Sequence, residues 1–141
     1  MNKIIQGNIL DIQSGIIAHQ VNCKRVAGAG LALQIRRKWP DWYEDYIQKP
    51  SEMGGLGLFK ISERPPLYIA SIYAQKSIGT KSRHTDYPSF KIALSHLVRF
   101  IGADYQLYIP YGVGCGLGGG DWTIVSKIIE IVAPRAILVK L

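Results

Sequence analysis

Cysteine is scarce in this sequence. Among 141 residues only Cys23 and Cys115 occur, and their spacing matches neither a CxxC pair nor a zinc-ligand set. A disulfide framework is excluded, no metal site and no cofactor are expected, and reduced thiols fit a cytoplasmic location. Long hydrophobic runs are also missing: no apolar stretch approaches the roughly 18 residues of a membrane span, so no membrane partner is expected. The first residues, Met1-Asn-Lys-Ile-Ile-Gln-Gly-Asn, offer neither an apolar core nor a cleavage site, so no secretion signal is read there. Acidic residues are few, 10 against 17 Lys and Arg, which leaves a net charge of +7. That excess favours an anionic ligand through its long-range field. The basic residues cluster only at Lys24-Arg25 and Arg36-Arg37-Lys38, a pattern that permits nucleic acid without requiring it. No repeat, low-complexity tract or linker divides the chain. Its length supports one self-sufficient core, so residues 1–141 read as a single domain. No heptad or aggregation-prone surface is evident, and a monomer is the expectation.

Glycine, in contrast, is concentrated. Six glycines fall within the nine residues 112–120, between the strand-like Tyr108-Ile-Pro110 and the helix-patterned residues 122–132. Glycines let backbone N–H groups approach an anion, and the following helix turns the positive end of its dipole toward the loop. A second glycine-bearing loop, Asn22 to Gly30, lies between a strand and another helical pattern. Two such loops suit a ligand with adjacent phosphates. Gly114-x-Gly116-x-x-Gly119 satisfies the dinucleotide fingerprint formally, but it sits late in the chain. The position about 20 residues on is Val139, where an acidic ribose ligand is needed. Without Gly-Lys-Ser/Thr the loop is no Walker motif either.

The remaining pattern alternates strands and helices. Residues 3–6, 9–12 and 16–21 read as strands, and Leu31, Ile35 and Trp39 stack at helical spacing until Pro40, with a further turn or two over 42–48 before Pro50. Strands follow at 55–61 and 67–74, a polar, basic mobile loop at 77–83, and a helix carried by Phe90, Ala93, Leu94, Leu97, Val98 and Ile101. Strand 105–110, helix 122–132 and strand 136–141 close the chain. Several strands are apolar throughout, which predicts an α/β fold: a three-layer α/β/α sandwich around a mixed, mostly parallel sheet. Its ligands should bind where loops leave the carboxyl ends of strands.

Three segments in order, Gly7-Asn8-Ile9-Leu10, His19-Gln-Val-Asn22-Cys with Gly28-Ala-Gly-Leu-Ala32, and Pro110-Tyr-Gly-Val-Gly-Cys-Gly-Leu-Gly-Gly-Gly-Asp-Trp122, resemble the macro domain over essentially the whole chain. The closest likeness is to its compact branch of ADP-ribose-1″-phosphate phosphatases and terminal ADP-ribose glycohydrolases. The resemblance implies ADP-ribose or a derivative as partner, and nucleic acid only as an ADP-ribosylated substrate. It places Asn8 and Ile9 near the adenine, Asn22 near the distal ribose, and Gly28, Ala29, Gly30 and Leu31 along that ribose and the diphosphate. Tyr111, Gly112, Val113, Gly114, Cys115 and Gly116 would wrap it from the other side. Many macro domains carry Asp where this chain has Asn8, whose amide oxygen can still accept from the adenine amino group.

The lysine and aspartate of the glycohydrolase type are not in register here: the strand end reads Tyr73-Ala-Gln75 with Lys76 beyond, and Gly118 follows Leu117. The phosphatase type implies His19 and Asp121 as catalytic groups, with Asn22 orienting the ribose. The activity implied is metal-independent hydrolysis, first of ADP-ribose-1″-phosphate. Removal of ADP-ribose from protein or nucleic acid, or binding without turnover, stand beside it.

Each residue also has a structural role open to it. Asp121 suits a helix N-cap, His19 a core position, Asn22 a strand-end turn and Cys115 a small packing site. Tyr87 and Tyr111 could stack on the ligand or pack, and Lys76, Lys81 and Arg83 could clamp an anion or be solvated.

Overall fold

Two strands show how the sequence builds the layers. In β2 (Gly15–Asn22) Ile16 and Ala18 point to one face while Ile17, His19 and Val21 point to the other. In β4 (Pro66–Gln75) Ala70, Ile72 and Ala74 alternate in the same way with Ile69, Ser71 and Tyr73. Both faces are buried, which is why these segments carry no regular polar alternation. The computed structural model describes residues 1–49, 52–76, 84–116 and 118–141. The expected loop at 77–83, with Lys81 and Arg83, lies outside the described residues, as do Pro50 and Leu117.

The other elements are β1 (Lys3–Gln6), α1 (Gly30–Lys38), α2 (Pro40–Gln48), β3 (Leu56–Glu63), α3 (Tyr87–Ile101), β5 (Leu107–Pro110), α4 (Trp122–Val132) and β6 (Ile137–Lys140). The strands form one sheet in the order β1-β6-β5-β2-β4-β3. Every neighbouring pair is parallel except β3 and β4. Phe90, Leu94 and Leu97 of α3 and Val125 and Ile129 of α4 cover one face. On the other, Ile35 of α1 and Trp42 and Tyr46 of α2 are buried. The α/β/α sandwich with a mixed, mostly parallel sheet is the architecture the sequence predicts.

Two local readings change. Residues 9–12 are not a strand: Ile9–Asp11 is a 3₁₀ turn, because the Asn8 side chain accepts from the Leu10 N–H at 2.9 Å and draws the backbone into a cap. Pro40 ends α1 but also opens α2 at its first turn, where a missing N–H costs nothing, so the turn or two expected at 42–48 is a nine-residue helix. Among the described residues no helix is long and apolar enough to cross a membrane.

This topology positions a site. β2 and β5 are parallel neighbours, yet the helix after β2 packs on one face of the sheet and the helix after β5 on the other. Chains that leave adjacent strand ends in opposite directions open a crevice between them, the switch point at which α/β sheets bind ligands.

Candidate functional site

A cleft of about 780 Å³ opens at this switch point, within the size range of small-molecule sites. Val21, Val139, Ile9 and Leu31 give it apolar surface, and both glycine loops supply backbone walls. Of the residues singled out in the sequence, Asn8, Ile9, His19, Asn22, Gly28, Ala29, Gly30, Leu31, Tyr111, Gly112, Val113, Gly114 and Gly116 line it. Cys115 and Asp121 do not.

One wall is the start of α1. Ala29 precedes the helix in an extended conformation and provides no side-chain cap, so the first-turn N–H groups, which have no intrahelical acceptor, face the cleft end of the helix. Gly30 has φ of 59°, a left-handed value that favours glycine. The opposite wall turns through Gly112 and Gly114, at φ of 83° and 76°. Gly28 and Gly30 on one wall and Gly112, Gly114 and Gly116 on the other leave backbone open to the cleft.

The side chains expected to do chemistry are placed otherwise. His19 is buried, edge-on to Trp42 with ring centroids 5.1 Å apart. Neither ring nitrogen has a hydrogen-bond partner among the described residues. Burial lowers its pKa to about 3, so the ring is neutral at physiological pH. Asn22 is committed to its own loop: Oδ1 accepts from the N–H groups of Lys24 at 3.0 Å and Val26 at 3.2 Å, and Nδ2 donates to the Val26 carbonyl at 2.8 Å. The Tyr46 hydroxyl donates to the Asn22 carbonyl at 2.6 Å from behind. Asn22 therefore shapes the loop that leads to α1.

Asp121 caps α4, accepting from the Thr123 N–H at 2.8 Å, while its own N–H donates to the Tyr87 hydroxyl at 3.0 Å. The Cys115 thiol donates weakly to the Val113 carbonyl at 3.4 Å. Burial, and then the charge of Asp121, push its pKa up to about 11, which disfavours the nucleophilic thiolate. Tyr111 tilts against Trp122 at 4.8 Å, with the Lys140 ammonium 4.7 Å from its ring centroid. Lys76 lies outside the cleft and pairs with Asp86 at 3.3 Å.

Sequence reasoning missed the neutral amides Gln20, Gln34 and Gln75, all of which line the cleft. Gln20 and Gln75 sit at the carboxyl ends of β2 and β4, and a polar residue closing a buried strand is the signal that marks them. Among the described residues, His19 and Tyr111 are the cleft's only side chains of titratable type. No group of three or more His, Cys, Asp or Glu gathers as a metal site among them.

No family model matches the chain. It is 24% identical over 141 residues to an uncharacterized 17.5 kDa protein from the tk-vs intergenic region of phage T4, covering 94% of this chain and 90% of that protein. It is 35% identical over 142 residues to the DNA ADP-ribosyl glycohydrolase of Thermus aquaticus, covering 92% of this chain. The match takes in only 37% of that longer protein. Among solved structures, the macrodomain of Thermus aquaticus DarG superposes with a TM-score of 0.79 at 22% identity, over 99% of this chain and 97% of that one. Thermosipho africanus DarTG in complex with ADP-ribose gives 0.79 at 19% identity, over 100% of this chain and 42% of the other. The chain has the macrodomain fold.

Proposed function

We propose that this chain binds ADP-ribose in the cleft and removes it from ADP-ribosylated nucleic acid. The observation that carries the binding is the pair of facing backbone walls: the uncapped start of α1 and the glycine turn at 112–116. N–H groups at a helix start and small, unobstructed turns match a diphosphate and would not hold a cation. Asn8, Ile9 and Val139 form an end suited to a flat base, apolar with a single amide. The Asn8 oxygen already serves Leu10, so only its second lone pair is left for an adenine amino group.

The hydrolytic half draws support from relatives named DNA ADP-ribosyl glycohydrolase, and the net charge of +7 favours a polyanionic carrier. Removal of a 1″-phosphate is less well supported by the geometry. That reaction needs a proton donor and a carboxylate at the ribose, yet His19 stays neutral to far below physiological pH and Asp121 caps α4 outside the cleft lining. One observation favours a second reading, a module that binds without turnover. Among the described residues no carboxylate or ammonium side chain lines the cleft.

Calorimetric titration with ADP-ribose, NAD and AMP, followed by product analysis on an ADP-ribosylated oligonucleotide and on ADP-ribose-1″-phosphate, tests these readings. Preference for ADP-ribose with its release from the oligonucleotide is expected. Binding with neither substrate consumed identifies the binding module. Phosphate release instead of oligonucleotide cleavage reassigns the leaving group, and absence of ADP-ribose binding removes the proposal.

A further inference from the structure

The glycine turn is anchored by a residue outside the cleft. Thr85 stands just before α3, is 1% exposed and does not line the cavity. Its Oγ1 accepts from Gln20 Nε2 at 2.9 Å and donates to the Gly114 carbonyl at 2.7 Å. That carbonyl also accepts from the Gly120 N–H at 2.8 Å. The N–H groups of His84 and Thr85 both donate to the Gly118 carbonyl, at 2.8 Å and 3.0 Å. Two carbonyl oxygens of the glycine run are thus held on donors at one residue.

The glycines divide accordingly. A Cβ on Gly118 would stand 2.5 Å from Thr85 Oγ1 and 2.7 Å from the Gly114 oxygen, and one on Gly120 would stand 2.7 Å from that same oxygen. A Cβ on Gly116 would meet nothing within 4 Å. Gly118 and Gly120 are glycine because the chain closes on Thr85; Gly116 faces open space.

We infer that Thr85 is a positioning residue for the anion-facing wall. Its hydroxyl fixes the turn at Gly114 and its N–H, with that of His84, holds the Gly118 carbonyl, so that the negative ends of these two oxygens do not oppose a bound diphosphate. The role in ligand binding rests on the reading of the cleft as an ADP-ribose site. The role in ordering the turn does not.

The test pairs Thr85→Val, which keeps the volume and loses the hydroxyl, with Thr85→Ser, which keeps the hydroxyl. By calorimetry Thr85→Val should lower ADP-ribose affinity about tenfold or more, the scale of a buried polar group left without its partner. Thr85→Ser should stay near wild type. In the ligand-free protein, amide exchange at Gly120, whose N–H donates to the Gly114 carbonyl, should speed up in Thr85→Val while amides of α4 and β6 keep their protection. A general loss of packing would raise exchange throughout. Gly118→Ala should reproduce the Thr85→Val pattern, and Gly116→Ala should leave exchange slow, so the inference is still tested if one variant fails to fold. Wild-type exchange at Gly120 in both Thr85→Val and Gly118→Ala overturns it. Wild-type protein that does not bind ADP-ribose removes the ligand assignment alone, and exchange still decides what Thr85 does.

Discussion

His19 carries a cost that is readable in solution. A neutral imidazole has one N–H donor and one acceptor nitrogen, and here both are buried without partners. Trp42, whose ring meets the imidazole edge-on, spends its own indole N–H on Ser71 at 3.1 Å. Because burial lowers the folded-state pKa to about 3 from 6.5, the unfolded chain binds the proton more readily. Stability from this group is complete above the unfolded value and is lost as pH falls from about 6.5 toward 3. Between pH 7 and 4.5 the loss is on the order of 2–3 kcal/mol. His19→Phe keeps a ring against Trp42 and removes both nitrogens. In urea unfolding at the two pH values, the wild type should lose roughly 2–3 kcal/mol more than the variant, since carboxylate contributions are common to both. At pH 7 the variant should be at least as stable as the wild type. Equal pH dependence in the two proteins would show that His19 finds a partner or titrates normally.

At the scale of elements, the helix starts separate what serves structure from what serves the ligand. α3 and α4 are capped by Asp86 and Asp121, and α2 begins at Pro40. α1 starts at the cleft, with Ala29 giving no cap. Supplying that cap should trade function for stability. Ala29→Asp should raise unfolding stability by about 1 kcal/mol and lower ADP-ribose affinity at least tenfold, because the new carboxylate occupies the N–H groups and opposes the diphosphate. Asp121→Ala should do the reverse, costing about 1 kcal/mol with affinity retained. Unfolding curves and calorimetry on the two variants decide this, and an Ala29→Asp protein that binds normally would place the anion elsewhere.

The same contrast explains what the sequence reveals. The Asp121 cap, the residues 122–132 and the buried strands are local or periodic, so they are legible from spacing alone. That Asp121 lies outside the cleft while Gln20 and Gln75 lie inside depends on strand order, which no local pattern encodes. The bond from Gln20 to Thr85 spans 65 residues, and neither residue type announces it. Residues 9–12 misled because β-branched residues suggested a strand while the Asn8 cap imposed a turn.

For the whole molecule, the cleft and the charge make separable contributions. The described cleft lining carries no cationic side chain, while the chain has 17 Lys and Arg against 10 Asp and Glu. Free ADP-ribose should therefore meet mostly backbone dipoles, and an attached oligonucleotide should in addition feel the outer surface. Phosphates bound by surface cations release counterions, and for single strands the logarithm of affinity falls against the logarithm of salt with a slope of about −0.7 per neutralised phosphate. An ADP-ribosylated oligonucleotide should accordingly outcompete free ADP-ribose at 50 mM salt and lose most of that advantage at 200 mM, while ADP-ribose affinity changes little. KM values report the effect if the substrate is consumed, and dissociation constants if it is not. An advantage that is independent of salt would mean recognition by specific contacts beside the cleft. No advantage at either salt would remove the surface charge from substrate choice and leave the cleft as the sole determinant.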